Sequence, residues 1–181
     1  DITSEANLFE GKTISQISAA VGSGHSLALD SEGQIYAWGY NYYGQLGNGD
    51  TTDSNTPVKV DTSGVLAGKT ISQISAGSDH SLALDSEGQI YAWGSNYDGL
   101  LGNGDTTDSN TPVKVDTSGV LAGKTISQIS AGNEHSLALD SEGQIYAWGS
   151  NYDGELGNGD TTSSNTPVKV DTSGVLAGKT I

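Results

Sequence analysis

Three histidines, three tryptophans and a recurring set of Asn, Asp and Ser side chains are the groups here that could do chemistry. His25, His80 and His135 are each followed by serine, a pairing that in a hydrolase supplies base and nucleophile, and imidazole is also a common metal ligand. Asn96-x-Asp98-Gly99 and Asn103-Gly-Asp105 offer the loop oxygens that Ca²⁺ takes. Trp38, Trp93 and Trp148, if exposed, could stack on a sugar or other planar ligand.

Spacing decides against most of this chemistry. The histidines stand 55 residues apart, as do the tryptophans and Pro57, Pro112 and Pro167, so each group recurs in its own copy of one unit instead of converging on a single site. One His per copy reads as scaffold, fixing the turn before its strand by hydrogen bonding to backbone. The His-Ser pair at 25–26 lacks the Gly-x-Ser-x-Gly elbow of a serine hydrolase. The Asn/Asp/Gly segments lack a 12-residue loop ending in Glu, and they hold the residues that tight turns select. Neither a catalytic residue nor a cofactor nor a metal site is expected.

The elements that position these residues follow from one copy. Thr70 to Ala76 is a short β-compatible stretch, and His80-Ser-Leu-Ala-Leu-Asp85 alternates with Leu82 and Leu84 on one face. Ser86-Glu87-Gly88 is a hairpin turn leading into Gln89-Ile-Tyr-Ala-Trp93, so these two strands should pair. A long Gly- and Asn-rich loop from Gly94 to Asp105 follows, and Pro112 then opens a short fourth strand through Val115. Gly119 to Ile126 could add one helical turn. Ile90 and Ala92 lie on one side of the third strand, Tyr91 and Trp93 on the other, so the sheet must be covered on both faces.

These residues carry a resemblance to a known family. The run Gly77-x-x-His80-Ser-Leu-Ala-Leu, then Gly88-x-x-Tyr91-Ala-Trp93-Gly94-x-Asn96-x-x-Gly99-x-Leu101-Gly102, then Pro112-x-x-Val115 resembles the repeat of β-propellers of the regulator of chromosome condensation type. WD-type and kelch blades match less well, since no Trp-Asp dipeptide closes a strand and no Gly-Gly pair is present. The resemblance implies an all-β fold of four-stranded antiparallel blades, three per chain, stacked so that each covers its neighbour. Residues 1–181 then form a single repeat domain, with blades over roughly 11–67, 68–122 and 123–177, a lead-in at 1–10 and the start of a further blade at 178–181. The first copy departs before His25, where Ala20 to Gly24 is two residues longer than its counterparts.

The family usually closes a ring of seven blades, which three cannot do alone. The ring is therefore expected to be completed by copies of the chain, as six blades from two or nine from three, or by a longer parent chain. Gly11-Lys-Thr-Ile14 and Gly178-Lys-Thr-Ile181 are the same tetrapeptide, which makes Ile14 and Ile181 the candidate assembly seam. A head-to-tail contact that fails to close would propagate as a filament.

Composition bounds the partners. Twenty-two acidic residues against seven lysines and no arginine leave a net charge of −15, the wrong sign for a phosphate-binding surface, so nucleic acid is set aside. Cysteine and methionine are absent, no membrane-length apolar run occurs, and a sequence starting at Asp1 is expected to be processed, trimmed or cut from a longer chain. The acidic, Ser/Thr/Asn/Gly-rich composition is associated with bacterial secreted or cell-surface proteins, and equally fits a designed repeat.

Residues 68–122 and 123–177 differ at four positions: Ser78/Asn133, Asp79/Glu134, Leu100/Glu155 and Asp108/Ser163. Differences among the copies cluster before the His and after the Trp, which marks Tyr40, Tyr43, Gln45, Asp98, Leu100, Asp153 and Glu155 as candidate partner-binding loop residues. The family acts largely through protein contacts, among them nucleotide exchange on a small GTPase and inhibition of secreted enzymes. No motif residue here matches those activities, and neither is carried over. The expectation is a non-enzymatic module that binds a protein through its loop face. The alternative is a structural repeat that self-associates as a ring, array, filament or designed assembly.

Overall fold

A computed structural model describes residues 8–22 and 24–179. Twelve strands form three antiparallel sheets of four. The first sheet holds β1 (Ile14–Ala19), β2 (His25–Asp30), β3 (Ile35–Gly39) and β4 (Ser54–Lys59) in sequential order. The second holds β5 (Ile71–Ala76), β6 (His80–Asp85), β7 (Ile90–Gly94) and β8 (Ser109–Lys114). The third holds β9 (Ile126–Ala131), β10 (His135–Asp140), β11 (Ile145–Gly149) and β12 (Ser164–Lys169). Among the described residues the only helical segment is a 3-10 turn at Tyr97–Gly99, and no helix is long and apolar enough to cross a membrane. The first strands of successive sheets lie against one another, so the sheets radiate from a common line as blades do.

Two details differ from the sequence expectation. Pro112 does not open its strand but sits inside β8, which begins at Ser109. It is tolerated because β4, β8 and β12 are the outer strands, paired on one side only. The segment from Gly119 forms a hydrogen-bonded turn, Ala122 N–H to Gly119 O at 3.0 Å, without a helix.

Period-2 alternation puts the two faces of each sheet to different use. In the second sheet, Ile74, Ala83, Tyr91 and Trp93 pack toward the first sheet against Leu27, Leu29, Ile35, Ala37 and Leu46. Its other face, Leu82, Leu84, Ile90 and Ala92, packs toward the third sheet against Ala138, Tyr146 and Trp148. Trp93 and Trp148 are fully buried, and truncating such a side chain costs about 3–5 kcal/mol. The indoles are therefore joints between blades.

Each joint is fixed by a short polar relay. Ser81 Oγ donates to the Gln45 carbonyl at 2.9 Å, and Trp93 Nε1 donates to the same oxygen at 2.9 Å. With its one hydroxyl proton so committed, Ser81 Oγ accepts from His25 Nε2 at 2.9 Å, which sets the Nε2–H tautomer. The next joint repeats the arrangement: His80 Nε2 to Ser136 Oγ at 2.9 Å, Ser136 Oγ to the Leu100 carbonyl at 3.1 Å, and Trp148 Nε1 to that carbonyl at 2.9 Å. His25 and His80 thus bond across to the next blade's serine, not to the backbone of their own turn. The connection had no sequence signal, because the partner lies 56 residues away. The polarity is also wrong for nucleophilic catalysis, since the imidazole donates to the serine.

Within each blade a second buried group locks the hairpin. Asp30 Oδ1 accepts from the Glu32 and Gln34 N–H groups at 2.9 Å each, and Oδ2 accepts from Tyr36 Oη at 3.0 Å. Burial opposes the charge on Asp30 and on Asp140, but these hydrogen bonds outweigh it and hold both carboxyls below their ordinary range. Burial and the Asp140 bond push Tyr146 up to about 12.

Close approach of the indole to the next loop sets a glycine requirement. A Cβ on Gly102 would stand 2.7 Å from Trp148 Nε1, whereas one on Gly119 would meet nothing within 4 Å. Gly102→Ala should therefore lower the unfolding free energy by about 2 kcal/mol or more, and Gly119→Ala should stay within about 0.5 kcal/mol, as measured by urea unfolding. A pH test follows from the relay. Burial pushes His25 down from 6.5 to about 4 and His80 to about 3, so the unfolded chain binds protons that the fold refuses. Stability should be complete above pH 6.5 and fall as pH drops from there toward about 4. His25→Gln and His80→Gln chains, though less stable at neutral pH, should lose this part of the slope; an unchanged slope would refute the assignment.

Candidate functional site

Strand alternation places the two variable loops of every blade at the same end. The β1–β2 and β3–β4 connections both turn there, and Tyr40 N–H donates to Gly24 O at 3.3 Å between them. The same tie recurs as Ser95 N–H to Asp79 O at 2.9 Å and Ser150 N–H to Glu134 O at 2.8 Å. The long loops are rigid because a buried asparagine organises each from within. Asn41 Oδ1 accepts from Leu46 N–H at 2.9 Å, while Nδ2 donates to Asp50 Oδ1 at 3.2 Å and Thr52 O at 3.0 Å. Asn96 and Asn151 do the same in their copies. Of the loop oxygens weighed for calcium, those of Asn96, Asn103 and Asp105 bond within the turn: Asn103 Oδ1 accepts from Asn96 Nδ2 at 3.2 Å and Asp105 Oδ1 from Thr107 N–H at 2.8 Å.

The rigid loops present aromatic groups to solvent. Tyr42, Tyr97 and Tyr152 hold equivalent places and are 66%, 64% and 64% exposed. In the first blade Tyr42 stacks with Tyr40, ring centroids 6.4 Å apart, and meets Tyr43 edge-on at 4.9 Å. In the other two blades Tyr152 Oη donates to Asp98 Oδ1 at 3.4 Å. Hydrogen bonding to Tyr97, with the Asp98 carboxylate nearby, raises the Tyr152 hydroxyl above its usual range. Asp98 itself takes a φ of +53°, the left-handed conformation that Asn and Asp tolerate best among residues with a side chain. Sequence reasoning passed over these three tyrosines because invariance among the copies reads as scaffold; their signal was an aromatic residue inside a polar, Gly-rich loop.

The residues singled out from sequence fall into two groups. Tyr40, Tyr43, Asp98, Asp153 and Glu155 lie on this end, half-buried or exposed. Gln45 and Leu100, at 0% and 3% exposure, are instead buried in the joints, where their carbonyls take the Ser and Trp protons. A backbone carbonyl does that work in both joints, and the Gln45 side chain adds a bond to Asp79 Oδ1 at 3.5 Å. Of the seam pair, Ile14 is 36% exposed, and Ile181 lies outside the described residues.

Charge separates along the strand direction. Asp50, Asp53, Asp79, Asp98, Asp105, Asp108, Glu134, Asp153, Glu155 and Asp160 all sit in loops of the tyrosine end. Every lysine is at the opposite end. Lys12, Lys69 and Lys124 pair with Glu32, Glu87 and Glu142 in the β2–β3-type turns, Lys59, Lys114 and Lys169 close the outer strands, and Lys179 lines a hollow with Lys124 and Glu142. The tyrosine end is uniformly negative. Among the described residues no cluster of His, Asp and Glu is arranged to hold a metal ion.

Comparison with known proteins places this architecture. The ultraviolet-B receptor UVR8 of Arabidopsis thaliana is 37% identical over 159 residues, 87% of this chain and 35% of that protein. Human WBSCR16 superposes with a TM-score of 0.76 at 29% identity, over 89% of this chain and 38% of that structure. The yeast protein Prp20, solved bound to Kap60, superposes with a TM-score of 0.69 at 34% identity, over 86% of this chain and 37% of its own. The chain thus spans little more than a third of the length of these relatives. The model of the RCC1-like domain matches residues 2–181, and with three four-stranded blades joined by a His–Ser–carbonyl–Trp relay, the chain belongs to the RCC1-like domain family.

Proposed function

We propose that this chain is a non-enzymatic interaction module that docks a basic surface of a protein partner on its tyrosine-bearing loop face. The observation that carries the reading is the coincidence, on one rigid end, of an exposed tyrosine in every blade with a ring of carboxylates and no lysine. Tyrosine offers large contact area at small entropic cost, and its ring face attracts Lys and Arg cations. A one-signed surface steers an oppositely charged partner and raises its association rate. The solved complex of a relative with Kap60 supports a protein-binding role. A non-enzymatic role is supported by His25 and His80, groups suited to acid–base work, being sealed singly in the joints. Self-association is a second reading, favoured by the open apolar sheet faces described below.

A lysine- and arginine-rich peptide and an acidic peptide of equal length, titrated against the chain by calorimetry, test the loop-face reading. The basic peptide should bind, the acidic one should not, and affinity should fall as salt rises. Replacing Tyr42, Tyr97 and Tyr152 together by Ser should weaken binding about tenfold or more while the melting temperature stays unchanged. Equal binding by the triple variant, or no preference for the basic peptide, would overturn the proposal.

A further inference from the structure

The first and third blades each leave one sheet face open, and the two faces are the halves of one joint. On the first blade Ile17 is 76% exposed, and Trp38 is half-buried where Trp93 and Trp148 are fully buried. On the third blade Leu137, Leu139, Ile145 and Val170 are half-buried where Leu82, Leu84, Ile90 and Val115 are buried. These strands border a shallow trough of about 190 Å³ lined by Ile129, Leu137, Leu139 and Ile145.

The polar groups match as closely as the apolar ones. In the two internal joints a Gln side chain reaches the next blade's first strand, Gln16 Nε2 to Ile74 O at 3.0 Å and Gln73 Nε2 to Ser127 O at 2.6 Å. A serine hydroxyl there accepts a backbone N–H, Ala76 to Ser18 Oγ at 3.0 Å and Ala131 to Ser75 Oγ at 2.9 Å. An outer-strand asparagine reaches back to a loop carbonyl, Asn110 Nδ2 to Gly49 O and Asn165 Nδ2 to Gly104 O, both at 2.9 Å. The third blade carries one half of this set unused among the described residues, as the side chains of His135, Gln128 and Ser130 and the carbonyls of Glu155 and Gly159. The first blade carries the other half, as Ser26, Trp38, Ala19 N–H and Asn55.

The space is also prepared. A Cβ on Gly47 or Gly102 would strike the next blade's indole at 2.7 Å, but on Gly157 it would meet only Val170 Cγ1 at 3.3 Å. The seat that a tryptophan fills in both internal joints is vacant there.

We propose that a second copy of this chain docks head-to-tail on the open face of the third blade, re-forming the internal joint with Trp38 and Ser26 of one copy against the Glu155 carbonyl and His135 of the other. This goes beyond the loop-face reading and does not depend on it. The occupant is a copy because it must supply, in one register, the apolar residues and every polar partner that the internal joints use, and the first blade does so. The strand residues of the two faces are uncharged, but Glu155 stands where Gln45 and Leu100 are buried in the internal joints, so its carboxylate opposes docking locally while each copy's charge of −15 opposes it at long range, and association strengthens with salt. At the outer corner Phe9, packed 5.0 Å from Tyr36, holds the place that Leu66 holds in the internal joint, so in the pair it competes with Leu176 of the other copy. Two such joints between two chains would close a six-bladed ring, and a rotation that does not close would extend the chain of copies instead.

Two variants of the full chain test this. Gly157→Asn, at a φ of +57° that Asn tolerates, blocks the tryptophan seat on the third blade, and Ile17→Asp places a charge on the first-blade face. Native mass spectrometry and sedimentation should find the unaltered chain associated, and each variant alone should associate at least about tenfold more weakly. Mixed together they should pair again, because each retains the half that the other lacks. A monomeric unaltered chain, a variant that still pairs with itself, or folded variants that do not pair on mixing would each overturn the proposal. Salt separates the two readings: it should strengthen this joint and weaken basic-peptide binding on the loop face.

Discussion

One backbone carbonyl per joint, that of Gln45 or Leu100, accepts a serine hydroxyl and an indole N–H from the following blade, and the arrangement of the blades depends on that oxygen. It sits on a loop whose geometry a buried asparagine has already fixed, so the acceptor is positioned before the neighbour arrives. The indole then lies against a glycine that leaves it room, and the serine turns to receive the histidine proton. Apolar area supplies most of the joint's stability, but it is not directional. The relay is what fixes the stagger and rotation of one sheet on the next.

The same economy explains why these polar residues are buried. His25, Ser81, Asn41 and Asp30 are fully or almost fully buried, and each is hydrogen-bonded within its turn or across its joint, His25 through Nε2 alone. A group spent in this way is unavailable to a substrate. The groups the scaffold does not use are the tyrosines that stand clear of the loops, the carboxylates around them, and the two sheet faces that no blade covers. The lysines gather at the far end, where the outer strands finish and the hairpin turns supply glutamates. Pairs of this exposed kind contribute less than about 1 kcal/mol each. Their importance lies in leaving the opposite end uniformly negative.

Much of this was legible in the chain itself. Exact repetition marked His, Trp and Pro as scaffold, alternation in Gln89 to Trp93 revealed a sheet with two apolar faces, and Ser86-Glu87-Gly88 located the hairpin. Those are local properties, set by side-chain period and turn chemistry over a few residues. The start of the outer strand was misplaced, because whether a proline may sit inside a strand depends on whether that strand is an edge. Variation at position 45 and its counterpart Leu100 suggested a surface, whereas both lie in joints whose shared acceptor is the backbone carbonyl.

The sequence by itself determined the repeat, the four-stranded unit, the burial of both sheet faces and the acidic balance, since composition and short-range periodicity carry them. Only the tertiary structure decided that His25 and His80 each bond to a serine of the next blade, that the tyrosines and carboxylates share one end, and that the first and third blades each keep one sheet face uncovered. The reason is physical: these facts rest on contacts between residues some fifty or more positions apart, whose meeting depends on how whole sheets stack and not on any local preference of the chain.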